Sequence, residues 1–501
     1  MNIIDHAVLI IYILAVVAFG AVFYRRAKSA EGFTSAHHRL PGWVVGLSIF
    51  GTYLSSISFL ALPGKAYASN WSAFAFSLSL PIAAYVASRW FVPLYRSSED
   101  ISAYAYLERR FGVWARLYAA TFYLLTQLAR MGTIMFLVAL ALERLTGWDI
   151  ITIIIVTGML VTLYTVIGGI EAVIWTDAMQ SVILTLGALA CVLLLVFNMP
   201  EGPGQLFSIA QSAQKFSLGS FAADLTAPTF WVIFIYGVVI NLQNFGIDQS
   251  YVQRYHTAKS TRAAQQSVWI GALIYIPVSL MFLFIGSALF SFYAAQPELL
   301  PGTLKSAAVA DRIFPYFIVT NLPHGITGLL IAALFAAAMS SIDTSMNSSA
   351  TILMSDVYKR FIKPAANDKQ CLRFLRIATI VLGILGTTMA LLMISIKNAL
   401  DTWWILAGIF SGGMLGLFLL AALSRRARSP QAIIGMVVGL LVIIWAVFSQ
   451  KWGVSWANPL HGFMTTVIGT LAIFLVGIVL SRHKQRMSAQ KPAATIHDLK
   501  D

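Results

Sequence analysis

Polar side chains interrupt the most apolar stretches of this chain. A polar group in hydrocarbon is costly unless it is partnered, so these interruptions mark where chemistry can occur. The richest is Ser340-Ser-Ile-Asp343-Thr344-Ser-Met-Asn347-Ser-Ser349. Ser340, Asp343 and Thr344 stand at i, i+3 and i+4, which puts their oxygens on one helix face. Oxygen-only ligands suit a hard cation, and no His/Cys cluster offers a transition-metal alternative. The competing reading is a hydroxyl-rich packing face, which an aspartate without a partner makes expensive. A second interruption, Gly46 to Ser58, carries Gly51 amid Ser and Thr. Either the helix breaks there and frees carbonyls for a cation, or small residues let two backbones approach. A third holds Asn241, Gln243, Asn244 and Gly246. Those amides must face a cavity, a second break or a neighbouring helix.

Two charges have no use in setting orientation. Asp177 follows Ile174-Trp-Thr176 near the start of an apolar run. It suits either a helix N-terminus or a second cation site. Arg130 lies midway along another run, where a guanidinium costs at least ~2.5 kcal/mol and needs a partner. Its planar fork matches a carboxylate, from either the protein or a substrate.

The elements that position these groups follow from composition. The chain has 501 residues, of which 58% are hydrophobic and 11% charged. Typical soluble domains carry about 25% charge, so an ordinary soluble enzyme and a disordered scaffold are both excluded. Thirteen helical spans are predicted, near 5–24, 42–69, 72–94, 114–143, 149–167, 172–197, 228–250, 265–292, 322–357, 371–396, 401–424, 430–449 and 460–481. Each can cross a ~30 Å hydrocarbon core at 1.5 Å per residue. The alternation of a membrane β-barrel is absent.

The net charge of +14 would suggest nucleic acid in a soluble protein. Here, with the N-terminus outside and the spans alternating, 25 of the 34 Lys and Arg residues fall in cytoplasmic segments and 6 in outer ones. That asymmetry predicts a multi-pass plasma-membrane protein, N-out and C-in. Arg254 is among the 25. Two cysteines, Cys191 and Cys371, are too few for a disulfide framework. The first apolar run lacks a basic n-region and a cleavage site, so it reads as a retained span rather than a signal peptide. Short surface helices are expected in the outer loops 199–227 and 293–321, and a polar tail after Arg482.

Spans 2 and 7, the two disrupted helices, are five apart. Setting span 1 aside, they open two successive five-helix units, the layout of an inverted repeat with paired broken helices and a midplane site. The divisions are 1–41, an extra helix and loop; 42–227 and 228–424, the two repeats; and 425–501, two further helices and a tail.

The motifs resemble those of the sodium/solute symporter family. They are Ser55-Ser-Ile-Ser58 with Pro63-Gly-Lys-Ala-Tyr67, Trp175-Thr-Asp177-Ala-Met-Gln180, Asp248-Gln-Ser-Tyr-Val-Gln-Arg254 and the Ser340–Asn347 run. They occur in the family's order, and the resemblance covers roughly residues 5–425. The resemblance implies an all-α, LeuT-like 5+5 inverted-repeat fold with one extra N-terminal and two extra C-terminal helices. It also implies Na⁺-driven uptake by alternating access and no enzymatic activity. It places the principal sodium site at the carbonyls of Gly51, Leu54 and Ser340 and the side chains of Asp343 and Thr344. Asp343 differs from the serine of many members.

Within the family, the sequence is most similar to bacterial sialic-acid symporters. That similarity implies that Arg130 grips a substrate carboxylate, that Ser55 and Ser58 line the substrate, and that Asp177 serves a second sodium ion. Tyr53, Ala73 and Ser77 stand where Thr, Phe and Gln are expected, so Tyr53 and Ser77 are the substrate-facing positions at which this chain departs. The expected function is Na⁺ symport, with one or two ions, of a carboxylate-bearing solute such as sialic acid. The alternatives are a monocarboxylate, pantothenate or neutral sugar. A membrane sensor or enzyme fits less well, because the roughly 20-residue tail has no room for a signalling domain and no intramembrane His neighbours the serines. The expected partners are the anionic solute, sodium and lipid, with no nucleic acid and no obligatory protein partner.

Overall fold

The computed structural model describes residues 2–54, 56–98, 100–395, 412–452 and 456–483. The described residues are helical almost throughout. The N-terminal helix α1 (Ile3–Val22) is followed by a bent pair, α2 (Gly42–Tyr53) and α3 (Ser56–Ala68), and by α4 (Trp71–Arg96), which combines α-, 3₁₀- and π-helical turns. Next come α5 (Val113–Thr146), α6 (Ile150–Phe197), the pair α7 (Phe230–Ile247) and α8 (Gln249–Thr257), and α9 (Thr261–Ala295). The last elements are α10 (Ile326–Ile352), which continues in π-helical turns to Ile362, then α11 (Asp368–Met393), α12 (Met414–Leu423), α13 (Ser429–Trp452) and α14 (Met464–His483).

Among the described residues, ten helices are long and apolar enough to cross a membrane, and the α2–α3 pair, bent by 55°, is an eleventh crossing. Helix α6 contains two predicted spans. At 1.5 Å per residue its 48 residues would reach ~72 Å, more than twice the hydrocarbon thickness. Gly169 divides it, with φ 58° and ψ −157°, a conformation open to glycine and essentially no other residue. With α12 as a short apolar helix, the described crossings accord with the thirteen-span layout. The first part of span 11, residues 401–411, lies outside the described residues. The loop helix Pro203–Ser212 and the short helices from Pro297 to Asn321 occupy the two loops where surface helices were expected.

Side-chain contacts sort the loops into two ends. At one end, Glu171 beside the Gly169 break accepts from Arg26 (2.7 Å) and Arg39 (2.6 Å). At the same end, Arg116 bridges Glu108 (2.8 Å) and Asp356 (2.6 Å), and Arg360 also reaches Glu108. At the other end, the Asp5 carboxylate accepts from the Gly325 and Gly328 amides at the start of α10, and Lys215 donates to the Tyr67 carbonyl. Each group joins loops that the alternating layout assigns to one side.

Helix α10 is the buried axis. In its most apolar window 89% of the residues are buried, against 28% for α1. It packs on α1, α5 and α6. That is why its long hydroxyl-rich run is tolerated: every oxygen meets protein rather than lipid.

Candidate sodium and substrate sites

The first break lies where glycine and hydroxyls weaken the second span. Leu54 leaves the helical region at φ −86°, ψ 83°. Its N–H still bonds to Phe50 O, and the carbonyls of the last helical turn border the break. One of them, Thr52 O, accepts from Arg130 Nη2 at 3.3 Å. Gly51 is fixed by close approach, since a Cβ there would sit 2.5 Å from Ser181 Oγ and 3.2 Å from the Asp177 carbonyl oxygen on α6. A side chain would push the broken helix away from the carboxylate.

The second break is at Asp248, just beyond the expected amide cluster. Asp248 ends α7, and its carboxylate caps α8 by accepting from Ser250 N at 2.8 Å. Tyrosine hydroxyls recapture the carbonyls nearby: Tyr255 donates to Phe245 O and Tyr95 to Gly246 O, each at 2.7 Å. The amides were expected to face a cavity, a break or a neighbouring helix. Two of them meet the helix beside the other break: Tyr53 donates to Asn241 Oδ1, and Asn244 Nδ2 donates to the Tyr53 hydroxyl at 3.0 Å.

Asp177, Asp343 and Thr344 meet between α2, α6, α8 and α10. Asp177 Oδ2 accepts from Ser48 (2.6 Å) and from Arg254 Nη2 (2.7 Å). The same nitrogen donates to Thr344 Oγ1 at 2.6 Å. Arg254 is 1% exposed and also donates to Ser48 Oγ and Ser250 O. Counting it among the orientation-setting charges was therefore incorrect. It lies only six residues past the break, and α8 turns it into the core instead of towards the membrane surface. Asp343 accepts from Tyr164 at 2.5 Å. One oxygen of each carboxylate, Asp177 Oδ1 and Asp343 Oδ1, has no hydrogen-bond partner among the described residues. Sequence reasoning missed Arg254, Ser48 and Tyr164 as members of this cluster. Arg254 stood in a recognised motif and Ser48 in the Gly46–Ser58 interruption, but Tyr164 is an ordinary residue in an apolar run.

Gly51, Leu54 and Ser340, all expected at the sodium site, line one small cavity with Gln180, Ser181 and Ala337. It is just large enough for a single water-sized sphere. The expected ligands are thus divided. The two carbonyl positions and Ser340 share the cavity, Thr344 is engaged by Arg254, and Asp343 leans on Tyr164. Among the described residues no three His, Cys, Asp or Glu side chains are grouped to hold a metal.

Arg130 is half-buried and pairs with no acid among the described residues. Its hydrogen bond goes to the Thr52 carbonyl, and Asp248 acts on it only through space. Tyr251 and Tyr123 stand near enough to feel its charge. Tyr53 packs on Phe245 (5.4 Å), Tyr251 (5.8 Å) and Tyr275 (5.1 Å between centroids). Ser58 hydrogen-bonds Tyr275. Ser77 is 3% exposed on a segment of α4 that packs on α7 and α9 rather than on the helix carrying Arg130. Ser55 lies outside the described residues. A larger cavity of about 610 Å³ lies at the arginine-rich end of the bundle, lined in part by His38, Arg96, Ser98, His256 and Lys359.

The sequence profile of the sodium:solute symporter family matches residues 33–439. This chain belongs to that family. It is a Na⁺-coupled symporter of LeuT-like architecture and not an enzyme. Two curated relatives cover nearly the whole chain. The sodium/sialic acid symporter NanT of Aliivibrio fischeri is 35% identical over 94% of this chain and 92% of its own. The sodium/sialic acid symporter SiaT of Proteus mirabilis is 34% identical over 95% and 94%. The solved structure of a Na⁺-coupled sialic acid symporter, substrate-bound and outward-open, superposes with a TM-score of 0.90 at 32% identity, covering 98% of this chain and 99% of that one.

Proposed function

We propose that this symporter imports a carboxylate-bearing solute of the sialic acid class, with Arg130 as the group that receives the acid. The observation that carries this reading is the state of Arg130: a half-buried guanidinium with no acid partner among the described residues, bonded only to a carbonyl at the α2–α3 break. A carboxylate arriving there takes up the guanidinium fork and joins α5 to the break. The relatives named for sialic acid support the same substrate. Ser58, Tyr53 and Ser77, with Ser55, are assigned to the rest of the solute. We assign the sodium ion to the cavity at Gly51, Leu54 and Ser340, with Asp343 supplying charge and Thr344 a hydroxyl. The repeats are assigned to 42–227 and 228–424.

The proposed orientation in the bacterial inner membrane has the N-terminus outside. It rests on the 25-to-6 charge asymmetry, which moving Arg254 into the core leaves essentially unchanged. In that orientation the 610 Å³ cavity is cytoplasmic, on the release side. Each inward Na⁺ gains about 2.3 kcal/mol per 100 mV, and a monoanion costs the same. One sodium per acid is electroneutral, and a second, at Asp177, makes uptake electrogenic. Uptake of labelled N-acetylneuraminate into proteoliposomes tests the reading. It should require sodium and should disappear in Arg130→Ala while sodium still shifts the melting temperature. Equal uptake with potassium, or acid transport that survives the substitution, overturns it.

A further inference from the structure

Gln180 ends the motif that begins at Trp175, yet no part of the reading above uses it. Its side chain is 2% exposed, and neither amide atom completes a hydrogen bond among the described residues. A buried amide left in that state costs about 1–3 kcal/mol unless something else satisfies it. Gln180 also lines the same small cavity as Gly51, Leu54 and Ser340.

Its neighbours show what the amide is for. Ser181, the next residue, has its hydroxyl bonded to the Asp177 carbonyl oxygen at 2.7 Å and to Leu47 O at 3.3 Å. Thr344 accepts from Arg254, so a cation placed on that hydroxyl faces a guanidinium 2.6 Å from the ligand oxygen. The cavity therefore has fewer free oxygens than the motif suggests. The Gln180 carbonyl oxygen is a neutral hard donor in the space that lacks one. On its far side the amide meets the Tyr12 hydroxyl of α1, which lies in turn near Asp343. An amide nitrogen turned to Tyr12 would leave the oxygen for the cavity.

We propose that the side-chain oxygen of Gln180 is a ligand of the co-transported sodium ion, and that Tyr12 of the N-terminal helix is the positioning residue that orients it. The proposal rests on the assignment of sodium to the Gly51–Leu54–Ser340 cavity. It makes α1, which lies outside the paired five-helix units, part of the ion site.

The test is a NaCl titration of the purified full chain in nanodiscs, with choline chloride keeping ionic strength constant. It is read by tryptophan fluorescence and melting temperature. Gln180→Leu should raise the half-saturating sodium concentration about tenfold or more, while acid affinity at saturating sodium changes less than about threefold. Gln180→Glu keeps the oxygen, adds charge and should lower half-saturation at least about threefold. Tyr12→Phe should raise it about threefold in the native background and leave it unchanged in Gln180→Leu. A Gln180→Leu protein that titrates like the native one overturns the proposal. If Gln180→Leu does not fold, Gln180→Glu decides, and an unchanged or higher half-saturation overturns it. Asp343→Asn separates the two claims. If it weakens sodium and Gln180→Leu does not, Gln180 is no ligand and the cavity assignment stands. If neither weakens sodium, both fall.

Discussion

Replacing Asp177 by Asn tests what holds the broken helix to the bundle. Arg254 and Asp177 form an ion pair at 2.7 Å with side chains 1% and 0% exposed. The guanidinium is tied by three further bonds, to Ser48, Ser250 and Thr344. An asparagine preserves shape and accepts from Ser48, but it leaves a full positive charge buried with no anion in contact. Removing one member of a buried pair costs about 3–5 kcal/mol, because the stranded charge keeps its desolvation penalty. Arg254→Gln strands the opposite charge and should cost a similar amount. The double change removes both charges, so its cost should fall below the sum of the singles by about 2 kcal/mol or more. The assay is thermal unfolding of the purified protein, with and without sodium. Sodium should partly rescue Arg254→Gln, because a cation can occupy the freed carboxylate, and it should not rescue Asp177→Asn. If Asp177→Asn melts like the native protein, or if the effects simply add, the ion pair is not the tie described.

Gly51→Ala should destabilise by about 1–3 kcal/mol and weaken sodium binding, because the new methyl would overlap Ser181 Oγ at 2.5 Å; sodium titration and melting together check it. Arg130→Lys should weaken acid binding about tenfold or more by equilibrium binding, since an ammonium keeps the charge and loses the planar fork. Tyr53→Phe should leave Asn241 and Asn244 short of a partner and lower stability by about 1–3 kcal/mol in a melting assay. Burial raises the pKa of Glu108, but hydrogen bonds from Arg360 and Arg116 outweigh it and hold the carboxyl below the usual range. A depressed carboxylate contributes stability above its unfolded pKa and loses it as pH falls through the folded one. Acidification below about pH 4.5 should therefore loosen this end of the bundle, and hydrogen exchange at 105–116 should show a smaller pH response in Glu108→Gln.

The chain's own pattern of apolar runs was enough to define its class, its span positions and the two broken helices, because hydrocarbon tolerates only helices whose polar interruptions are answered. It singled out Arg130, Asp177 and Asp343 because charge inside a span has a cost that periodicity cannot hide. The order of the motifs identified the family. What the pattern could not supply was pairing. Arg254 reads as one more basic residue beside a membrane edge, and only the turn at Asp248 carries it into contact with Asp177 and Thr344. Tyr164 and Tyr12 carry no signal in an apolar run, yet they come from distant helices to meet Asp343 and Gln180. The amides of Asn241 and Asn244 stood out at once, but their partner, Tyr53, lies almost two hundred residues away. Composition and spacing register the cost of a buried polar group. Which group offsets that cost depends on how the helices cross, and only the tertiary structure decides that.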